Sequence, residues 1–179
     1  TVTCSASDTR GNTATGSFTV TVVDTTPPVL TLPSNISEAT TSASGKVVTY
    51  TATATDAVDG SRPVACTPAS GSTFPVGTTT VTCSASDTRG NTATGSFTVT
   101  VIQQFTLSVT VTGTGSVTSN PVGISCPGDC SEPYNSGTSV TLQVVVGSFQ
   151  GWGGACTGNG SCTVTMDANK SVTATFGCC

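Results

Sequence analysis

The nine cysteines are the residues best equipped for chemistry in this 179-residue chain. Cys66 and Cys83 flank a hairpin-like segment, Phe74-Pro75-Val76-Gly77, and read as a disulfide. Closing a loop of that length is worth about 3 kcal/mol in the chain-entropy view. Cys126-Pro-Gly-Asp-Cys130 and Cys156-Thr-Gly-Asn-Gly-Ser-Cys162 each enclose a turn. Local pairs 126–130 and 156–162 are the first choice. The crossed pairs 126–156 and 130–162 stay open, because four cysteines allow three pairings. A four-cysteine zinc site is the competing reading. It lacks the usual Cys-x2-Cys knuckles, and the chain has no histidine to contribute.

Carboxylates come next. Asp56, Asp59 and Asp87 could offer hard oxygen ligands to Ca²⁺, although they form no EF-hand pattern. Asx-turn bonding explains each of them alone, and it explains Asp129 as well. No metal or other cofactor is therefore expected. Trp152, the one tryptophan, sits among Gly151, Gly153 and Gly154. It is read as a packing residue rather than a sugar-stacking platform, since small β domains need large apolar side chains. Asn35, Asn159 and Asn169 open formal glycosylation sequons. Catalysis finds no support. There is no histidine base, no lysine in a nucleophile motif and no phosphate loop. The expectation is a protein that is not an enzyme.

Composition narrows the classes further. Charged residues are 8% of the chain and the net charge is −4. Arg10, Lys46, Arg62, Arg89 and Lys170 are scattered and outnumbered by nine acids, so no nucleic-acid-binding face is expected. The cysteine content points to an oxidising compartment. No apolar run is long enough to span a bilayer.

These residues are positioned by strands. Residues 1–22 and 80–101 are the same string, TVTCSASDTRGNTATGSFTVTV, and the spacing of the two copies implies a tandem array of small β units. Period-2 alternation dominates. Val48, Tyr50, Ala52 and Ala54 share one face. Val81, Cys83 and Ala85 share another, as do Phe97, Val99 and Val101, with Thr and Ser on the wet side. Residues 24–101 read as about seven short strands in a sandwich, beginning at Pro27-Pro28. Gln103-Gln104 reads as a short polar linker. Beyond it Phe105, Leu107, Val109 and Val111 alternate inward. So do Val140, Leu142, Val144 and Val146, then Val164 and Met166, then Val172, Ala174 and Phe176. No useful helical stretch is visible. The fold class is all-β: an immunoglobulin-like sandwich followed by a small sheet domain, stapled by disulfides.

Cys4 is the counterpart of Cys83. Its partner therefore belongs upstream, as far before it as Cys66 is before Cys83, and outside this chain. Adjacent Cys178 and Cys179 rarely bond each other. The plainer reading pairs these thiols with further parts of the same polypeptide. The sharper one bridges Cys178 or Cys179 to Cys4 of another chain.

DTTPPVLTLP at 24–33, Ala54-Thr55-Asp56 with Asp59-Gly60, and GSTFPVGTTTVTCSASD at 71–87 with Gly90-Asn91 resemble the hyalin repeat family. That resemblance implies an immunoglobulin-like module, found in tandem in extracellular and often adhesive proteins, and it too implies the Cys66–Cys83 disulfide. Residues 1–22 match only its last quarter. GTGSVTSNPVGISC, GTSVTL, FQGWGGAC and CTVTMDANKSVTATF resemble the bacterial surface repeat related to the internalin B-repeat. This implies a small extracellular tandem module with no catalytic residues. The expected division is 1–23, 24–102 and 103–179.

The function expected is that of an extracellular or cell-surface structural protein, of bacterial origin: a stalk, an adhesin shaft or a filament subunit. Its partners would be further copies of itself in a fibre or array, with a surface ligand or carbohydrate as a further candidate. The alternative is an accessory carbohydrate- or ligand-binding module of a larger secreted enzyme. In the structural reading the hairpin at 1–22 needs a second sheet, from a neighbouring polypeptide or from an upstream part of the same one, because a lone hairpin is at best marginally stable.

Overall fold

Branched and aromatic side chains alternating with Thr and Ser favour a pleated backbone, and the chain folds accordingly. A computed structural model describes residues 1–177; Cys178 and Cys179, named above for an inter-chain bridge, lie outside the described residues. Every regular element among the described residues is a strand, so none offers a helix able to cross a membrane.

Residues 1–22 make a bare hairpin. Val2–Ser7 pairs antiparallel with Thr13–Phe18, placing Cys4 opposite Gly16. Every residue of both strands is exposed.

The next unit is a sandwich. One sheet runs from Ala65–Thr67 to Gly77–Ser86 to the long strand Thr92–Thr112, which also pairs in parallel with Ile36–Thr40. Val29–Thr31, Thr53–Asp56 and Gly60–Arg62 form a second sheet. Val48, Phe74, Val81, Cys83, Phe97, Val99 and Val101 are buried together, with Leu32, Ile36 and Tyr50 packed against them. Gly95, mid-strand and opposite Cys83, makes room for this packing. A Cβ at Gly95 would stand 2.8 Å from Leu32 Cδ1. At Gly16, its counterpart in the hairpin, a Cβ would meet nothing within 4 Å. The same glycine is thus present where its packing partner is not.

Gln103-Gln104, expected as a linker, is no linker. Both lie inside the 21-residue strand Thr92–Thr112. That strand leaves the first core at Val101 and enters the second at Leu107 without a turn. Partners on its flanks explain the continuity. Gln103 still pairs with Thr40, and Gln104 already pairs with Asn135. The Gln104 Nε2 donates to Asn135 Oδ1 at 3.0 Å, and the Ser136 amide donates to the Gln103 carbonyl at 2.8 Å. Backbone groups that a linker would give to water are engaged by strands on both sides of the junction.

The long strand opens the second unit as it closes the first. It pairs antiparallel with Ser131–Asn135 and in parallel with Lys170–Phe176, which pairs with Phe149–Gly154. A second sheet holds Ser125–Cys126, Gly115–Asn120, Ser139–Gly147 and Cys162–Thr165. Both parallel pairings begin with the same device. Asn35 Oδ1 accepts from the Thr98 amide at 2.9 Å just before Ile36–Thr40, and Asn169 Oδ1 accepts from the Thr106 amide at 2.9 Å just before Lys170–Phe176. Two of the three sequon asparagines thus serve the backbone.

The inward row read over Val140–Val146 stops early. Val140 and Leu142 are buried, whereas Val144, Val145 and Val146 are 37, 57 and 60% exposed. The cause is a register shift between Ser116 and Val117, which leaves Val145 unpaired and turns the strand end off the core.

Candidate functional site

Three tight turns meet at the end of the sandwich nearest the hairpin, and each is built by an aspartate. Asp24 Oδ1 accepts from the Thr26 amide at 3.0 Å. Asp56 Oδ1 accepts from the amides of Val58 at 2.8 Å and Asp59 at 2.9 Å. Asp87 Oδ1 accepts from the amides of Arg89 at 2.9 Å and Asn91 at 2.8 Å, while its Oδ2 accepts from Asn91 Nδ2 at 2.6 Å. These are Asx turns, in which a short carboxylate replaces a backbone acceptor. Asn91 also donates to the Asp24 carbonyl at 3.2 Å, tying the first turn to the third.

The tertiary fold then brings the three carboxylates together. One oxygen from each of Asp24, Asp56 and Asp87 lies within 4.8 Å of the others. Asp56 is 4% and Asp87 5% exposed. Burial pushes the Asp87 carboxyl up, but the donors on Asn91, Arg89 and Gly90 outweigh it, and the group stays below the usual carboxylate range.

The trio named from the sequence, Asp56, Asp59 and Asp87, is corrected in one member. Asp59 turns away. Its Oδ2 accepts from the Thr88 amide and hydroxyl, both at 2.7 Å. Those two donors, with Arg62 and Arg89 nearby, hold its carboxyl below the usual range. Asp24 takes its place. Three strands, from Val29–Thr31 to Lys46–Val47, separate it from the strand that carries Asp56, so spacing alone does not connect the two. The available signal is its position at the head of the unit, beside Pro27-Pro28.

Asp8 shows how much of this is local. Its Oδ1 accepts from the amides of Arg10 and Asn12, and its Oδ2 from Asn12 Nδ2, the bonds that Asp87 makes. The Asn12 side chain above all holds the Asp8 carboxyl below its ordinary value. The turn forms wherever the string SASDTRGN occurs. The cluster needs the sandwich.

The cysteines occupy strand and turn positions. Cys66 and Cys83 face each other across paired strands, with Cα atoms 4.0 Å apart and sulfurs bonded. Cys126 bonds Cys130 and Cys156 bonds Cys162, with Cα separations of 4.7 and 5.6 Å. Cys4 is exposed and without a sulfur partner among the described residues. Trp152 is buried. It packs on Phe149 with ring centroids 4.8 Å apart and donates from Nε1 to the Gly160 carbonyl at 2.8 Å.

The sequence has relatives. Residues 23–101 match the HYR domain family. The chain is also similar to two curated proteins called hyalin. One, from Lytechinus variegatus, is 40% identical over 151 residues, which is 75% of this chain and 28% of that protein. The other, from Strongylocentrotus purpuratus, is 40% identical over 138 residues, 74% of this chain and 10% of that protein. The chain therefore spans less than a third of the length of either relative. Both are sea urchin proteins and lend no support to the bacterial source expected above. No solved structure matches. The HYR match includes Asp24, Asp56 and Asp87 and both cysteines of the first bond, so cluster and staple lie in one domain.

Proposed function

We propose that this chain is a stretch of an extracellular, adhesive structural protein whose β units stand in tandem and self-associate into a stalk or filament. The observation that carries the reading is the string shared by residues 1–22 and 80–101, which repeats one β unit in tandem. Phe18, Val20 and Val22 are 55, 59 and 86% exposed, although the identical string at 80–101 buries Phe97, Val99 and Val101. An apolar face of that kind calls for a covering sheet. An upstream part of the same polypeptide supplies one, or a strand of a neighbouring copy does, a form of β-augmentation. Either would bring a cysteine opposite Cys4, as Cys66 stands opposite Cys83.

The division at 23/24 and 102/103 belongs to this reading, and two separate buried clusters support it. Residues 105–177 are taken as a surface repeat on their sequence motifs alone. Burial of Trp152 favours a structural role over an accessory sugar-binding module, which would want an exposed aromatic platform.

The test is electron microscopy with light scattering on the full chain under oxidising conditions. Threads or ladders of oligomers, shortened by Cys4→Ser, are expected. A monodisperse monomer at high concentration, with Cys4 still reactive to a thiol probe, would overturn the assembly reading.

A further inference from the structure

The geometry points to a Ca²⁺ site formed by Asp24, Asp56 and Asp87 at the entry of the HYR domain. One oxygen of each carboxylate lies within 4.8 Å of the others. Oxygens on opposite sides of a Ca²⁺ ion stand about 4.6–5.2 Å apart, so one ion touches all three.

A second observation, independent of the clustering, asks for a cation. Asp56 is more than nine-tenths buried, at 4% exposed, and its Oδ2 has no hydrogen-bond partner. Its Oδ1 is committed to the amides of Val58 and Asp59, so Oδ2 points away from that turn. Asp24 Oδ2 is likewise sealed and unpartnered, with Oδ1 on the Thr26 amide. A buried carboxylate oxygen without a donor is costly unless something positive meets it. No ion pair among the described residues reaches the cluster: the pairs are Lys46–Glu38 and Lys170–Asp167.

The donor set selects the ion. It is all carboxylate, and the chain contains no histidine. Soft or borderline metals prefer sulfur and nitrogen, whereas hard cations take oxygen. Each carboxylate is held by its own Asx turn, so the set cannot contract freely. Mg²⁺ demands near-ideal octahedral geometry at about 2.0–2.1 Å, while Ca²⁺ accepts irregular shells at about 2.3–2.6 Å.

Position gives the site its consequence. Asp24 directly follows the repeated string and Val23, so an ion held between it and two loops of the domain fixes the entering chain. After the second copy of the string, the equivalent position is Gln103. There an amide joins the units by hydrogen bonds, so the entry is braced by an ion and the exit by amides.

The test uses the full chain, CaCl₂ and MgCl₂, thermal unfolding and titration calorimetry. Parent chain should bind one Ca²⁺ saturably, with a dissociation constant on the order of 10⁻⁴ M. Its Tm should rise by about 5 °C in millimolar CaCl₂ and move less in MgCl₂. Asp56→Asn and Asp24→Asn keep the oxygen that accepts the turn amides but remove charge from the site. Both should fold and lose the Ca²⁺ response. If D56N does not fold, D24N decides alone. A parent chain whose Tm ignores millimolar CaCl₂ and which shows no binding heat overturns the proposal, as do variants that respond like the parent.

Discussion

Phe18 and Phe97 hold the same place in the same repeated string, yet Phe18 is 55% exposed and Phe97 4%. The string sets the hairpin and its register. Burial depends on what lies across it. Truncating each residue therefore reads two different things. Phe97→Ala should cost about 3–5 kcal/mol in denaturant unfolding, as buried aromatic truncations do. Phe18→Ala should leave the unfolding curve of the monomer within about 0.5 kcal/mol of the parent. If the hairpin is covered in an assembly, Phe18→Ala should reduce thread formation instead.

Gly95 and Gly16 make a matched pair. Gly95→Ala drives a methyl against Leu32 and should destabilise the domain by about 1–3 kcal/mol. Gly16→Ala meets open space and should be neutral in the monomer. Should a covering sheet close on the hairpin as Leu32 closes on Gly95, Gly16→Ala would weaken assembly at unchanged monomer stability. Calorimetry and light scattering on the same samples separate the two.

The junction predicts coupled unfolding. Gln104→Pro removes an amide from the strand that both cores share and disfavours a regular ladder there. The parent should melt the two units with shared cooperativity. The proline variant should show two resolved transitions, and small-angle scattering should report a broader distribution of lengths.

Acid should act through Asp59. Its carboxyl lies below the ordinary value because the Thr88 amide and hydroxyl bond the charged form. A folded value below the unfolded one gives stability that is fully present above the unfolded value, about 3.9, and is lost as pH falls through the folded one. Asp59→Ala should thus destabilise the chain at neutral pH and matter less once the pH has fallen through the folded value, in pH-dependent thermal melts.

Much of the sheet was legible because parity is local. Phe97, Val99 and Val101 alternate with threonine, and so do Phe105, Leu107 and Val109 with threonine and serine. The structure buries the first row outright, and the second from Leu107 onward with Phe105 packed against it. The polar pair Gln103-Gln104 suggested a break. Yet odd-numbered positions carry the row straight through it, and that unbroken parity was the signal of a single strand. The end of the row at Val144–Val146 was not legible. Its cause is a bulge set by the partner strand at Ser116-Val117. Nor was the meeting of Asp24 with Asp56 and Asp87, because sequence shows each turn separately and the approach of the three turns is a property of the sandwich.

The strand Thr92–Thr112 is also a load path. Its ladders to Ile36–Thr40 and to Lys170–Phe176 are parallel, and both run along its own direction. Tension pulling the two units apart reaches these ladders lengthwise, so their hydrogen bonds are sheared together rather than unzipped one at a time. Breaking several bonds at once raises the barrier to forced extension, and that barrier, not the equilibrium stability, decides how long a stretched molecule holds. The Cys66–Cys83 bond keeps the residues between its ends out of the stretch. A chain built in this way meets tension with paired strands at the place where its sequence looks most like a joint.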